Sequence, residues 1–509
     1  TAFSAYLVFR RWAPWPPAAF AGGLLYGFSP YMIGQGLGHL HMVLMFLVPV
    51  FLLLLDEIMV RQRWRARVSG PLLGVTAAAQ LLVAEEVLAG AALIGLVGLL
   101  VLVALFPGGV RPRLRHGAVG FALATGTGLL LAAVPLYHQL AGPQRLLGTV
   151  SSPDRYRADL LSWVVPSGLV RFAPDWALRI SGDFVGNAAE NGSYLGVPLL
   201  LVALAATVAL WRRRPVVRWA GVLLAVVMVL SSGGSLRVGG RETGFPLPLR
   251  LLEHVPLFDS IVSIRLSSYA VLLCGLLLAV GMDAVRERVL AGGTILRRWP
   301  VLRRWPVLWR WPALPASLAG ALAVVALLPL LPAAYHYRID DVGVPPWYRS
   351  AAVQNRVPLG SVLVTVPAAS AVNSAPMAWQ AVAGHRFKVP FGYSLHPDEE
   401  GRGRFNADPS LFASIMVRIQ RGPPPRVNAD HVREMRADLR RWQVRTVVVT
   451  PESNAHVAEQ VDLLTRVLGR PPVADTGAWV WYDVEPDGLA ALPVVPPPWP
   501  PQPVSLPGR

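Results

Sequence analysis

The sequence predicts an α-helical polytopic membrane protein with a small α/β domain at its C-terminal end. Over half of the 509 residues are hydrophobic and only 15% are charged, a composition that a soluble chain of this size would not tolerate on its surface. Apolar stretches of membrane-spanning length alternate with loops, and arginines crowd every second loop. Beyond about residue 337 the apolar stretches shorten to the length of buried strands.

The arginine-rich loops predict which side of the membrane each connection faces. Arginines cluster at residues 10–11, 61–67, 111–115, 212–218 and 286–310. By the positive-inside rule these loops are cytoplasmic, and the loops between them lie outside.

A crossing helix needs roughly 20 apolar residues. After a helical remnant at residues 2–9, the apolar runs predict crossings at about 17–30, 41–60, 69–84, 87–106, 117–137, 195–211, 217–231, 267–283 and 314–334. Nine crossings from a cytoplasmic start place the C-terminus outside. Thr1 is not an initiator, so we expect the natural chain to begin earlier, with a further crossing upstream.

Two of the predicted crossings are short. The first ends at Pro30, a residue that disfavours helix before it, and the third runs into Glu85 and Glu86. Short helices at membrane depth border protein or a water-filled cavity. We therefore expect a cavity that opens on the outer face.

Three regions follow from this topology. Residues 1–336 form the transmembrane bundle, with outer loops at 142–194 and 233–266, residues 337–487 form an extracytoplasmic α/β domain, and residues 488–509 are a Pro-rich tail. In the α/β domain, strands are predicted at 361–366, 446–450 and 479–484, and helices at 430–442 and 455–468. The cytoplasmic segment Arg297 to Leu314 repeats an Arg-Trp-Pro unit. It suits either a strip in the headgroup layer or a solvated linker.

Charge and motifs exclude several classes of protein. The net charge of +17 is divided among short loops instead of forming one basic stripe, so nucleic acid is not the expected partner, and anionic membrane lipids are. Lys388 is the only lysine, and the heavy use of Arg, Ala, Pro and Gly indicates a GC-rich bacterial genome. Cys274 is the only cysteine, so an intrachain disulfide is impossible. The P-loop, GxGxxG, HExxH and GxSxG motifs are absent from the sequence.

The first candidate site is the pair Glu85 and Glu86, which interrupts a long apolar sequence. Ionisable residues beside the membrane are costly and carry a functional hypothesis. Adjacent helical side chains point about 100° apart, so at most one of the two can face a common cavity. That carboxylate would be a base or a cation ligand. A hydrated helix turn at the outer surface is the alternative.

Histidines and arginines give the candidates for substrate binding. His39 and His41 suit hydrogen bonding from a cavity wall, with metal binding or an interfacial position as alternatives. The outer loop carries a charged group formed by Asp154, Arg155, Arg157 and Asp159. These arginines and Arg265 could hold a lipid phosphate bidentately, or could simply pair with neighbouring acids.

Several motifs resemble the GT-C superfamily of polytopic membrane glycosyltransferases. They are the runs YGFSPY at 26–31, GHLH at 38–41 and QLLVAEE at 80–86. The runs MAWQ at 377–380, HRF at 385–387 and FGY at 391–393 resemble the extracytoplasmic C-terminal part of actinobacterial members. The resemblance covers most of the chain.

The resemblance implies a GT-C-like bundle in the bacterial cell membrane that transfers a sugar from a polyprenyl-phosphate donor to a glycan or lipid acceptor of the envelope. The superfamily's catalytic acid usually lies in the first outer loop, which would precede Thr1. Within this sequence the catalytic candidates are Glu85, Glu86, Asp154 and Asp159. The cofactor stays open, with a divalent cation as the one candidate, and the single cysteine excludes a metal site built from cysteines.

The competing class is a non-catalytic membrane protein, either a transporter of lipid-linked glycans or a scaffold for envelope assembly. A transporter should show internal repeats and polar residues at mid-membrane. The sequence contains no repeated half, and its acids lie near the predicted outer boundary. This favours the transferase.

Overall fold

The computed structural model describes residues 1–143, 145–147, 156–252, 261–290, 314–334, 343–370, 373–398, 400–405, 410–421, 425–451 and 456–494. The chain divides into two compact units, formed by residues 1–138 with 151–337 and by residues 139–150 with 338–509. Asp154, Arg155, most of the Arg-Trp-Pro segment and residues 495–509 of the tail lie outside the described residues.

The first unit is a helical bundle. Its helices are α1 (Ala2–Phe9), α2 (Pro16–Gly27), α3 (Pro30–Gly36), α4 (Leu40–Val43), α5 (Val48–Asp56, continued by a π-turn at Glu57–Arg61), α6 (Ala66–Val83), α7 (Glu85–Leu105), α8 (Pro107–Val110), α9 (Leu114–Ala141), α10 (Asp175–Gly182), α11 (Val197–Leu210), α12 (Pro215–Ser231), α13 (Ser267–Leu290) and α14 (Leu314–Leu327). Short 3-10 turns include Arg111–Arg113, Leu160–Trp163, Pro248–Leu252, Ser263–Leu266 and Leu328–Leu330.

Helix α13 is the axis of this bundle. In its most apolar stretch 94% of the residues are buried, against 17% in the Pro107–Ala141 helix at the periphery. Helices α2, α11, α12 and α14 pack around α13. The peripheral α9 instead exposes a run of large apolar side chains, Leu129 to Leu131, as a helix facing lipid does.

Helices α2 and α13 meet at two glycines. A Cβ atom added to Gly275 would lie 2.7 Å from the carbonyl oxygen of Gly22, and 3.1 Å from the ring of Phe9. Only glycine permits this backbone approach, which is a common mode of helix packing in membranes. The contact sets the position of α2 and of the segment that follows it.

Five helices among the described residues are long and apolar enough to cross a membrane: Leu40–Arg61, Ala66–Val83, Glu85–Leu105, Pro107–Ala141 and Ser263–Leu290. Three apolar helices are shorter: Val197–Leu210, Pro215–Ser231 and Ala316–Leu330. The first predicted crossing corresponds to α2, which has 12 residues and is therefore about 18 Å long, against a hydrocarbon layer of about 30 Å. The helices are consistent with a multi-pass membrane protein, and nine crossings remain a prediction.

A β-hairpin follows α12. It consists of β1 (Ser235–Val238) and β2 (Arg241–Pro246), paired antiparallel across Gly239 and Gly240. Both glycines have positive φ angles, +60° and +77°, as a tight two-residue hairpin turn requires.

The second unit contains a four-stranded sheet. Its strands are β3 (Val362–Val366), β6 (Val444–Val449), β7 (Val473–Asp475) and β8 (Ala478–Trp481), and a separate small hairpin pairs β4 (Leu395–Pro397) with β5 (Gly403–Phe405). The order in the sheet is β3-β6-β8-β7, where β3 is parallel to β6 and the other neighbours are antiparallel. The helices of this unit are α15 (Pro346–Arg349), α16 (Ala351–Arg356), α17 (Ala375–Val382), α18 (Leu411–Arg421), α19 (Ala429–Arg441) and α20 (Val457–Leu468).

Side chains cover both faces of this sheet. Val447 and Val449 face a core formed with α18, α19 and α20, whereas Val448 faces an aromatic core that includes Trp347 and Trp379. The alternation follows the two-residue period of a strand. The three strands and two helices predicted for this region agree with β3, β6, β8, α19 and α20, with ends that differ by a few residues.

Candidate functional site

Four segments of the bundle meet where α7 begins. Helix α7 starts at Glu85, and the 3-10 turn that carries Arg265 leads directly into α13. The hydroxyl of Tyr269 donates a hydrogen bond of 2.7 Å to the carbonyl of Val87, which ties the start of α13 to the start of α7. The other two segments are α3 to α4 and the loop before α11. We name Gln35, His39, Glu86, Glu190 and Arg265 the Arg265 cluster.

Arg265 joins two carboxylates from distant parts of the chain. Its Nε donates to both carboxylate oxygens of Glu190, at 3.2 Å each. On the opposite side its Nη1 forms an ion pair and hydrogen bond with Glu86 Oε2. Glu86 also accepts a 3.4 Å hydrogen bond from the backbone amide of Val262. The guanidinium is therefore held between two carboxylates, as the planar arrangement of its N–H donors allows.

Glu190 is the buried centre of the cluster, with only 1% of its side chain exposed. Gln35 Nε2 donates to Glu190 Oε2 at 2.9 Å and to the carbonyl of Ala189 at 3.3 Å. The loop reaches α3 because both sides carry glycine: a Cβ at Gly34 would lie 2.7 Å from the carbonyl of Ala189, and one at Gly192 would lie 2.6 Å from Cα of Tyr31. Close backbone packing thus fixes the position of Glu190.

The two histidines occupy different positions beside Glu190. His39 Nδ1 lies 3.7 Å from Glu190 Oε1, beyond hydrogen-bonding distance. His41 is exposed, and its ring meets that of His39 edge to face with centroids 6.2 Å apart. His39 Nδ1 and Gln35 Oε1 are buried atoms without a hydrogen-bond partner among the described residues.

The two adjacent glutamates separate as helical geometry requires. Glu86 turns to Arg265, and 24% of its side chain remains exposed. Glu85 is exposed at the start of α7. Of the two adjacent carboxylates, Glu86 is the one that forms an ion pair with Arg265.

Asp159 and Arg157 hold the β-hairpin. The Asp159 carboxylate accepts from the backbone amides of Gly239 at 3.0 Å, Gly240 at 2.8 Å and Leu161 at 2.9 Å. Arg157 pairs with Glu242 of the hairpin at 3.0 Å. Both side chains are buried and support the loop instead of joining the Arg265 cluster.

The charges of the cluster follow from these contacts. Burial raises the pKa of the Glu190 carboxyl, but the hydrogen bonds and charge of Arg265 outweigh it and leave that pKa below its usual value. Burial lowers the pKa of His39, and the attraction of Glu190 does not compensate. At neutral pH Glu190 is thus ionised and His39 is neutral. The single positive charge of Arg265 therefore faces two carboxyl groups, and that of Glu190 is ionised.

Because both carboxyl groups already hold the Arg265 guanidinium, an anion can bind to Arg265 only where one of these groups no longer pairs with it. In the part of the chain that the structure describes, no group of three or more His, Cys, Asp or Glu side chains is arranged to hold a metal ion.

Comparison with known protein families identifies the family of this chain. The sequence profile of the domain of unknown function DUF6311 matches residues 1–296, more than half of the protein. The chain belongs to the DUF6311 family. The matched region contains the whole Arg265 cluster and ends before residue 338, where the larger segment of the second unit begins. None of the curated proteins matches the chain.

Sequence reasoning did not identify Gln35 and Glu190 as site residues. Glu190 lies in a polar loop beside Asn191 and resembles an ordinary solvated acid. Its partner Arg265 is 75 residues away, and no local spacing connects the two. The sequence signal for Glu190 is an acid among polar residues of the outer loop, which many solvated acids share.

Proposed function

We propose that this DUF6311 protein is a glycosyltransferase of the bacterial cell membrane, which moves a sugar from a polyprenyl-phosphate donor to a glycan or lipid acceptor on the external side. The observation that supports the proposal is the arrangement of Glu86, Arg265 and Glu190. A partly exposed carboxylate is held in place by a guanidinium, which is itself held by a buried carboxylate.

The external position rests on the arginine-rich loops. Arg11, Arg61 and Arg213 lie at one end of the bundle, where they line a common cavity. Helix α7 runs from the Arg265 cluster to that end, which Phe106 reaches. By the positive-inside rule the arginine-rich end is cytoplasmic and the cluster is external.

Glu86 is the proposed general base. It is the acidic side chain of the cluster that substrate can reach, since 24% of it is exposed against 1% of Glu190. In the transfer, the acceptor O–H bond breaks and its proton moves to Glu86. The acceptor oxygen bonds to the anomeric carbon, and the bond from that carbon to the phosphate oxygen breaks. The electron pair leaves with polyprenyl phosphate.

Arg265 links proton uptake to the departure of the phosphate. A protonated Glu86 no longer carries a charge to hold the Arg265 Nη1 group. The guanidinium, still fixed by Glu190, then becomes available to the phosphate as this gains negative charge. In this scheme Glu190 is a positioning residue and Glu86 and Arg265 are catalytic residues.

The test is sugar transfer by the purified chain in liposomes, with a panel of radiolabelled polyprenyl-phosphate sugars and an envelope acceptor fraction. Glu86→Gln keeps the size and hydrogen-bonding capacity of the side chain but cannot take a proton. It should lose transfer by about 100-fold or more, the contribution of a general base. Glu85→Gln is the matched control and should retain transfer.

Equal activity of the two variants would contradict the assignment of Glu86. Donor binding by the wild-type chain without transfer of any donor would contradict the transferase and would point to a transporter of lipid-linked glycans.

A further inference from the structure

A large apolar cavity lies inside the first unit, and Tyr269, four residues after Arg265, lines it, but no residue of the Arg265 cluster does. Its volume is about 660 Å³. Helices α5, α7, α12 and α13 contribute its walls, and at its other end it is bordered by arginines. From α7 the lining residues are Ala91, Ile94, Gly95, Gly98, Leu99 and Leu102.

These α7 residues form one stripe, because they follow one another at the three- and four-residue spacing of a helix face. From Ala91 to Leu102 the stripe is about 16 Å long. That is about half of the roughly 30 Å hydrocarbon thickness, and so it corresponds to the depth of one lipid leaflet. The cavity thus has the depth that one lipid chain requires.

The cavity ends among five arginines and one acid of its lining: Arg11, Arg61, Arg113, Arg213, Arg214 and Asp56. Arg11 and Arg61 are neutralised in part by Asp56, at 2.6 Å and 3.2 Å, and Arg214 by Glu287 at 2.7 Å. Arg113 and Arg213, in contrast, form no ion pair within the described ranges. Two guanidinium groups are therefore left with uncompensated charge beside an apolar cavity.

We infer that the cavity binds an anionic phospholipid of the leaflet at the arginine-rich end. One hydrocarbon chain fills the space between α5 and α7, and the phosphate lies between Arg113 and Arg213. An apolar cavity favours apolar ligands, and guanidinium groups are the preferred side chains for phosphate. This lipid site is separate from the proposed transferase site and does not depend on it.

The structure suggests a substitution that would block the part of the cavity proposed for the hydrocarbon chain of the lipid. Gly95 lines the cavity, and a Cβ atom added to it would meet only Leu55 Cδ1, at an ordinary 3.5 Å. Gly95→Leu should therefore fold and place its side chain in the cavity. Ala92→Leu adds a large side chain to an exposed position of the same helix and is the matched control.

The headgroup site has its own pair of variants. Arg113→Gln and Arg213→Gln remove the two uncompensated charges, and Arg212→Gln removes an exposed arginine that does not line the cavity. The full chain in detergent is titrated with phosphatidylglycerol and, separately, with phosphatidylcholine, and bound lipid is counted by native mass spectrometry.

We expect the wild-type chain to retain phosphatidylglycerol at least about tenfold more tightly than phosphatidylcholine. Gly95→Leu should lose binding of both lipids by about tenfold, and Ala92→Leu should not. The Arg113 and Arg213 variants should lose the preference for phosphatidylglycerol, and Arg212→Gln should keep it. Equal binding of the two lipids by the wild-type chain, or unchanged binding by Gly95→Leu, would overturn the inference.

Discussion

At the scale of single residues, charge and helical geometry decide what Glu86 and its neighbour can do. The 100° between successive helical side chains already predicted that Glu85 and Glu86 would diverge. Which of the two would turn inward was not predictable, because the answer depends on Arg265, a residue 179 positions away. Local spacing finds a candidate acid, whereas its partner is found only after the chain has folded.

His39 makes stability depend on pH. Burial lowers the pKa of the folded His39 below the value of about 6.5 in the unfolded chain. In the pH range between these two pKa values, the unfolded chain binds a proton at His39 and the folded chain does not. Stability therefore falls as pH falls through this window. Glu190, whose pKa is also lowered, acts in the same direction at lower pH.

Thermal unfolding of the detergent-solubilised chain between pH 5.5 and 8 measures this effect, with the pH range set by the ordinary histidine pKa of about 6.5. The unfolding midpoint of the wild-type chain should fall more steeply toward acid than that of His39→Gln, and the two should converge at the alkaline end. His138→Gln, at an exposed histidine, should follow the wild type. If the unfolding midpoints of the wild type and His39→Gln change in parallel with pH, protonation of His39 does not lower the stability of the folded chain.

At the scale of helices and strands, the lengths of the apolar stretches predicted the helices of the bundle, whereas the local turn residues predicted less of the structure. Each predicted crossing coincides with an apolar helix, and Pro30 interrupts the first one as expected, between α2 and α3. The β-hairpin at Ser235–Pro246 was not predicted. Its signal was present in the Gly239-Gly240 pair, but polar residues around it resemble a loop.

The contact of α2 with α13 should be intolerant of even one methyl group. In Gly275→Ala the new Cβ would lie 2.7 Å from the carbonyl oxygen of Gly22, and a backbone atom cannot move aside as a side chain can. We expect a loss of about 1–3 kcal/mol, the usual cost of overpacking. The measurement is the thermal unfolding midpoint in detergent.

Gly126→Ala is the matched control for this substitution. Gly126 also lies inside a helix, and a Cβ there meets no atom within 4 Å. The variant should be neutral or more stable, because alanine favours helix over glycine by about 1 kcal/mol. A Gly275→Ala chain as stable as Gly126→Ala would mean that α2 and α13 can separate without cost.

At the scale of the whole molecule, the arrangement of charge defines two ends of the bundle. One end carries the arginine-rich loops that border the apolar cavity, and the other carries the Arg265 cluster. The composition predicted a multi-pass helical bundle followed by an α/β region, since both depend on hydrophobic patterns along the chain. The pairing of Arg265 with Glu190 depends instead on glycine contacts between a loop and α3. Such contacts produce no periodic pattern in the sequence.

A lipid-linked donor that presents its sugar outside requires the Arg265 cluster to face outside. The chain is well suited to test this, because its only cysteine, Cys274, is fully buried in α13. Arg212 and Arg241 are both exposed, and they lie beyond opposite ends of α12. Single Arg212→Cys and Arg241→Cys variants therefore report on the two ends of the bundle.

The deciding measurement is the labelling of these variants in intact cells with a maleimide that does not cross membranes. Arg241→Cys should be labelled in intact cells, Arg212→Cys only after the cells are permeabilised, and the wild-type chain in neither case. Labelling of Arg212→Cys in intact cells, with Arg241→Cys protected, would place the Arg265 cluster in the cytoplasm and contradict an external transferase.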